Sequence, residues 1–192
     1  MKYDISDKIL FLDLETNSLD TNEAEIRFVG IMDEKGDAWM AEWSDKTKEE
    51  LIKKIDSAHK IVTFNGEAYD LPILQRHGIS IQHWDHIDVY TVFKKRAPLI
   101  RSGGFKSYSL KNLIKEVGIK TEGKGTIDYH IFMKNKWTYE EYSEIYTYLK
   151  QDLIITKQLW DFLINKFDPL KEYISAQDAK NFKHITSRLY LY

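Results

Sequence analysis

Cysteine is absent from the 192 residues. There are therefore no disulfides and no thiolate metal sites, so any metal must be held by oxygen or imidazole, and hard cations are the expected class. Proline is scarce, and no low-complexity tract, internal repeat or charge block divides the chain. No apolar run approaches the roughly 20 residues that span a bilayer. The opening "MKYDISDKIL" lacks the apolar stretch of a secretory signal, so the expectation is a cytoplasmic location with no membrane contact. An excess of either charge is missing too, with 28 Lys plus Arg against 30 Asp plus Glu. Without a global basic field, a polyanionic ligand would have to be held locally.

What is present suits a packed core: 43% hydrophobic against 30% charged residues excludes a wholly disordered chain, and the length fits one domain. "KILFLDLE", "IRFVGIMDE" and "GDAWMAEW" read as strands, the last two joined by a turn at Lys35, Gly36 and Asp37, forming an antiparallel meander. "TKEELIKKIDSA" reads as an amphipathic helix opening at Thr47 with Glu50 three residues on. "KIVTFN" is a fourth strand, and "GEAYDLPILQRHG" a helix that ends at Gly78 and admits Pro72 in its first turn. "HIDVYTVFKKRA" begins as a fifth strand, "APLIRSGGFKS" reads as a loop, and "YSLKNLIKEVGI" is a helix capped by Ser109 and stopped by Gly118. Residues 138–167 contain neither Gly nor Pro and predict one or two helices; the tail carries an apolar stripe and predicts another. The order implies an α/β fold, a mixed five-stranded sheet of three antiparallel strands plus parallel ones, flanked by helices.

Two acids sit one residue apart at the end of an apolar run in "FLDLETNSLD". Strand alternation puts Asp13 and Glu15 on one face and Leu12 and Leu14 on the other. A carboxylate withdrawn from water needs a cation or strong donors to offset the cost, so this pair points to a shared ligand. "FNGEAYD" places Asn65 just after a strand and Asp70 in the first turns of the next helix, and strand ends are where α/β folds receive ligands. "YLKQD" spaces Tyr148 and Asp152 four apart, on one helix face. Each signal has an ordinary counterpart: an exposed edge pair for Asp13 and Glu15, a first-turn acid for Asp70, a turn residue for Asn65, a core tyrosine for Tyr148 among Tyr139, Tyr142 and Tyr146. His77, His83 and His86 lack a compact ligand spacing, and Trp39, Trp43 and Trp160 read as core.

Taken together and in order, "DLET", "NGEAYD" and "YLKQD" resemble the three motifs of the DEDD superfamily of 3′-to-5′ exonucleases, whose fold is ribonuclease H-like. The histidine branch would place His five residues before the last Asp; that position is Thr147, so the chain is similar to the tyrosine branch, which includes the exonuclease domain of family B DNA polymerases. The resemblance covers about residues 8–165. With it, the core is expected at about 8–167 and residues 168–192 as a C-terminal helical extension.

The resemblance implies a metal-dependent 3′-to-5′ exonuclease that releases nucleoside 5′-monophosphates from a single-stranded or frayed DNA end, with two Mg2+ ions per site and Mn2+ able to substitute. Asp13 would bridge both ions, Glu15 and Asp152 would hold the one that activates water, and Asp70 would support the other. Tyr148 would orient the water, since a hydroxyl that ordinarily ionises near pH 10 is a poor base at neutrality. Thr16 and Leu19 would contact the terminal nucleotide, Phe64 and Asn65 the next. Lys94, Lys95, Arg96, Arg101 and Lys106, with Phe105 and Tyr108, form a local basic stretch suited to a phosphate backbone. The alternatives are an exoribonuclease of RNA processing or decay and, ranked last because no acid is lost, a non-catalytic binding module. No polymerase module is recognisable, so proofreading would need a separate polymerase partner.

Overall fold

In the computed structural model, which describes residues 8–82, 86–120 and 126–166, the run ILFLDLET forms β1 (Ile9–Thr16). It pairs antiparallel with β2 (Ile26–Asp33), and β2 pairs antiparallel with β3 (Ala38–Glu42). On its other side β1 pairs in parallel with β4 (Lys60–Thr63), which pairs in parallel with β5 (His86–Asp88). The order β3-β2-β1-β4-β5 makes β1 the central strand of the mixed, five-stranded, ribonuclease H-like sheet expected from the sequence.

The alternation of β1 divides the core. Leu10, Leu12 and Leu14 pack with Leu51 of α1 (Asp45–Asp56) and with Ile73 and Leu74 of α2 (Asp70–Arg76). Ile9 and Phe11 pack on the other face with Phe93 of α3 (Val89–Ile100), Leu113 of α4 (Leu110–Glu116) and Leu153 and Leu159 of α5 (Tyr139–Lys166). Each such side chain, fully buried, contributes about 1.5–3 kcal/mol, so both helical layers are anchored on β1. The face of Ile9 and Phe11 continues as Asp13 and Glu15, leading the acids toward α5.

One uninterrupted helix, α5, accounts for 28 residues of the segment without Gly or Pro, about 42 Å at 1.5 Å per residue. A capping box starts it: the Thr138 N–H donates to the Glu141 carboxylate at 3.0 Å, and the Glu141 N–H donates to the Thr138 hydroxyl at 3.3 Å. Gly30 of β2 lets this helix come close to the sheet. A Cβ at Gly30 would lie 2.9 Å from Leu149 Cγ and 2.9 Å from Leu153 Cδ1. Gly30 is also the cross-strand partner of Asp13, so this close helix-to-sheet approach occurs beside the first acid.

Three expectations change. The first helix opens at Asp45, because Ser44, in an extended conformation, accepts the Thr47 N–H at 3.1 Å; the Thr47 hydroxyl instead donates to the Glu42 carbonyl at 2.7 Å. The segment read as a loop from Ala97 is still helix through Pro98 to Ile100, because Ala97 and Ile100 are needed by the core below them. Residues 129–133, unassigned from sequence, form a short 3-10 helix that buries Ile131 and Phe132 against Phe28. Trp160 is buried, and Trp39 and Trp43 are partly buried against the α1–α2 layer. The predicted C-terminal extension and His83 lie outside the described residues. No helix among the described residues is long and apolar enough to cross a membrane.

Candidate active site

Asp13 and Glu15 from β1 and Asp152 from α5 meet at one place, with one carboxylate oxygen from each lying within 4.8 Å of the others. Asp152 follows Tyr148 by one helical turn, while Leu149 and Leu153, the neighbours of that pair, are fully buried against β2. Packing therefore fixes the phase of α5, and the phase turns Asp152 to the acids of β1. Tyr142 and Tyr146 lie elsewhere on α5, their rings edge-on to Phe28 at 5.9 and 5.8 Å, and Tyr139 is exposed. Two residues on from Tyr146, Tyr148 lies about 200° round α5 from it, on another face of the helix.

Asp70 stands outside the group of three and is buried. Its Oδ1 accepts the Leu14 N–H at 3.1 Å, gripping β1 at the residue between Asp13 and Glu15. That N–H needs a partner because the β1–β4 pairing runs only as far as Phe11 and Val62. Burial pushes the Asp70 carboxyl from 3.8 up to about 7; the bond from Leu14 opposes the rise and the charge of Asp88 adds to it. A carboxyl whose folded pKa is raised favours folding most at low pH, and that contribution is lost as pH climbs from about 4 to about 7. In EDTA, the thermal midpoint of the wild type should therefore fall relative to Asp70→Asn between about pH 5 and about pH 8. An unchanging difference across that range would mean that Asp70 stays ionised in the fold.

The turn after β4 presents Phe64 and Asn65. Asn65 adopts φ 64°, a left-handed conformation that asparagine tolerates, so its turn role is real. Gly66 follows because a Cβ there would lie 2.1 Å from Thr63 Oγ1, whose hydroxyl is held at 2.8 Å by His86 Nε2. Asp88, at the end of β5, locks this turn. Its carboxylate accepts the N–H of Asn65 at 2.8 Å, of Glu67 at 3.1 Å and of Tyr90 at 2.9 Å, capping α3 with the same group.

A register shift between Glu15 and Thr16 interrupts the β1–β2 ladder just before its last pair, Thr16 with Ile26, and Thr16 is buried. Its hydroxyl bonds to the Tyr69 hydroxyl, and both reach the Ser18 carbonyl, at 2.8 Å from Thr16 and 2.6 Å from Tyr69. This clasp shapes the loop that leaves Leu19 77% exposed, free to meet a ligand. Burial raises the hydroxyl pKa of Tyr69 and of Tyr129, with a Thr16 hydrogen bond opposing in both and the Glu15 charge adding. Tyr129 and Asp88 carried no sequence assignment. An Asp between a β-rich run and a helix was the available signal for Asp88; Tyr129 had none.

The basic stretch divides. Lys94, Lys95 and Arg96 lie on α3, with Lys94 Nζ 5.6 Å from the Tyr90 ring centroid. Arg101 pairs with Glu116, and Phe105 is packed on Phe93. His77 bonds to the Ile73 carbonyl and to Glu25, so neither it nor His86 belongs to the acidic group.

The RNase_H superfamily model matches residues 10–164. The chain belongs to the RNase_H superfamily. No curated protein matches this superfamily member in sequence. Its fold is similar to Brucella melitensis NrnC, also solved with bound Mg2+, at TM-score 0.63 and 17% identity over 94% of this chain and 82% of that one. It is similar to the family B DNA polymerase from the hyperthermophilic archaeon Pyrobaculum calidifontis at TM-score 0.61 and 11% identity, over 82% of this chain but 24% of the polymerase. It is also similar to E. coli Exonuclease I in complex with a 5cy-dT13 oligonucleotide, at TM-score 0.54 and 12% identity, over 87% of this chain and 42% of that one. The RNase_H superfamily fold is thus shared, and the donor set of Asp13, Glu15 and Asp152, all carboxylate oxygen, fits a hard divalent cation.

Proposed function

We propose that the protein is a metal-dependent 3′-to-5′ exonuclease of the tyrosine branch of the DEDD superfamily, acting on the 3′ end of single-stranded or frayed DNA and releasing nucleoside 5′-monophosphates. The convergence of Asp13, Glu15 and Asp152 within 4.8 Å, in a chain of the RNase_H superfamily, carries this reading. The oligonucleotide held by the similar Exonuclease I favours a single DNA strand as substrate.

Asp13, Glu15 and Asp152, with Asp70 behind them, would hold two divalent ions, Mg2+ or Mn2+, which when bound supply charge compensation at the phosphate and lower the pKa of water. The chain's own part is placement. Asp70 fixes the peptide between the β1 acids through Leu14, so their spacing is set before a ligand arrives. Tyr148, one turn before Asp152, orients the attacking water with its hydroxyl. Leu19, on the loop clasped by Thr16 and Tyr69, contacts the terminal nucleotide, and Phe64 and Asn65 the one before it; the expected nucleotide contact of Thr16 is replaced by a holding role, because its side chain is buried and its hydroxyl is engaged in the clasp. Apolar and aromatic contacts of this kind are tolerant of sequence.

Incubating the protein with 5′-labelled single-stranded DNA and RNA, in Mg2+, Mn2+ or EDTA, tests the reading. The expected result is a ladder shortened from the 3′ end on DNA and none in EDTA. Cleavage confined to RNA would reassign the sugar, and no cleavage of either strand in either metal would overturn the enzyme. Tyr148→Phe should lower kcat by about a hundredfold or more, the scale of a positioned side chain that acts on the reacting water. Its metal affinity, followed by the Mg2+-dependent rise in thermal midpoint, should be retained; full activity would make Tyr148 a packing residue.

A further inference from the structure

We propose that the cleft between the turn after β4 and the loop before α4 binds a nucleobase of the substrate strand, the second or third from the 3′ end, with Tyr90 and Tyr108 as its aromatic walls. This deepens the exonuclease reading and rests on it. The cleft has a volume of about 340 Å³ and is lined by Phe64, Asn65, Tyr90, Ser107, Tyr108 and Ser109. That volume is within the range of small-molecule sites, about 300–1,000 Å³.

The lining chemistry selects a flat, polar-edged ring. Tyr90 stands edge-on to Phe64 at 5.9 Å and 82° and to Tyr108 at 6.1 Å and 73°. Tyr90 and Tyr108 both line the cleft and are only half-buried, so each turns part of its ring to the space a base would occupy. The hydroxyls of Ser107 and Ser109 and the amide of Asn65 supply donors and acceptors for base edges without demanding one base. Lys94, above the Tyr90 ring, adds positive charge on the rim for a phosphate.

Position and rigidity agree with this use. Phe64 and Asn65 leave the carboxyl end of β4, and Tyr90 follows the carboxyl end of β5. With neighbouring strands about 4.8 Å apart, β5 lies about 10 Å from β1, the strand of Asp13 and Glu15. A strand whose terminal phosphate sits at those acids reaches the cleft within a nucleotide or two. One side of the cleft is tied to a single buried group, since Asp88 accepts the N–H of Asn65 at 2.8 Å and of Tyr90 at 2.9 Å. That side is thus held in shape before the base arrives.

The test uses eight-nucleotide DNA carrying a 5′ fluorophore and a single abasic site at each position in turn. Binding is read by anisotropy in EDTA, where no hydrolysis occurs, and cleavage separately in Mg2+. For the wild type, removing the second or third base from the 3′ end should weaken binding about fivefold or more, since base–aromatic stacking is worth roughly 1–3 kcal/mol. Tyr108→Leu, and independently Tyr90→Leu, should weaken binding of the intact strand similarly and become indifferent to the abasic site. Equal binding of all abasic strands by the wild type overturns the proposal without requiring any variant to fold. Binding that shows the expected abasic pattern without cleavage in either metal would keep the base site and sink the exonuclease reading; cleavage without that pattern would do the reverse.

Discussion

Asp13→Asn should lower kcat/KM for strand hydrolysis by about a thousandfold or more, because a bound ion's stabilisation of transition-state charge is worth several kcal/mol and each 1.36 kcal/mol is tenfold. The same substitution should raise the thermal midpoint in EDTA. Asp13, Glu15 and Asp152 bring carboxylate oxygens within 4.8 Å of one another. Like charges at that separation repel by about 1 kcal/mol or more even in water-like surroundings, and the amide removes one of them without changing the shape. The rise in midpoint on adding Mg2+ should shrink correspondingly. Catalysis lost, metal-free stability gained and metal response lost form one signature; an Asp13→Asn protein that is less stable in EDTA would mean that Asp13 serves the fold before it serves an ion.

Gly30→Val should destabilise the protein by about 3 kcal/mol and abolish its response to Mg2+, though Gly30 bears no side chain and would touch no substrate. A Cβ at this position already falls 2.9 Å from Leu149 Cγ and Leu153 Cδ1, both fully buried, so valine forces α5 away from the sheet. Asp152 moves with α5 while Asp13, opposite Gly30 in the sheet, stays. Denaturant unfolding measures the first effect and the Mg2+-dependent midpoint the second. Pairing the change with Leu149→Ala, which vacates the space the new side chain needs, should return part of both. A stable Gly30→Val protein with an intact metal response would show that the helix can shift without disturbing the acids.

The parts of the fold legible in the sequence were those written as repetition. β1 alternates cleanly and α5 has no breaker, so the faces that carry Asp13, Glu15 and Asp152 followed from period, while their union in one site was implied by the resemblance of the three motifs taken in order. Ser109 and Gly118 bracketed α4 as cap and stop. What was hidden depended on partners distant in the chain. Pro98 reads as a break, yet the helix runs past it because Ala97 and Ile100 are committed to the core. Asp70 reads as a member of an acidic set, and its carboxylate also accepts a backbone amide of β1, 56 residues away. Phe105 and Arg101 read as ligand contacts beside basic residues, whereas one belongs to an aromatic cluster and the other to an ion pair. Composition around a loop gives no sign of which side chains turn inward.

The central strand outruns its neighbour: pairing with β4 stops at Phe11 and Val62, while β1 continues to Thr16. The overhang is buried rather than open, with Leu12, Leu14 and Thr16 all shielded from solvent, so its backbone needs a partner from within the chain. Asp70 meets that need at Leu14, and a carboxylate thus completes a ladder that the neighbouring strand leaves short.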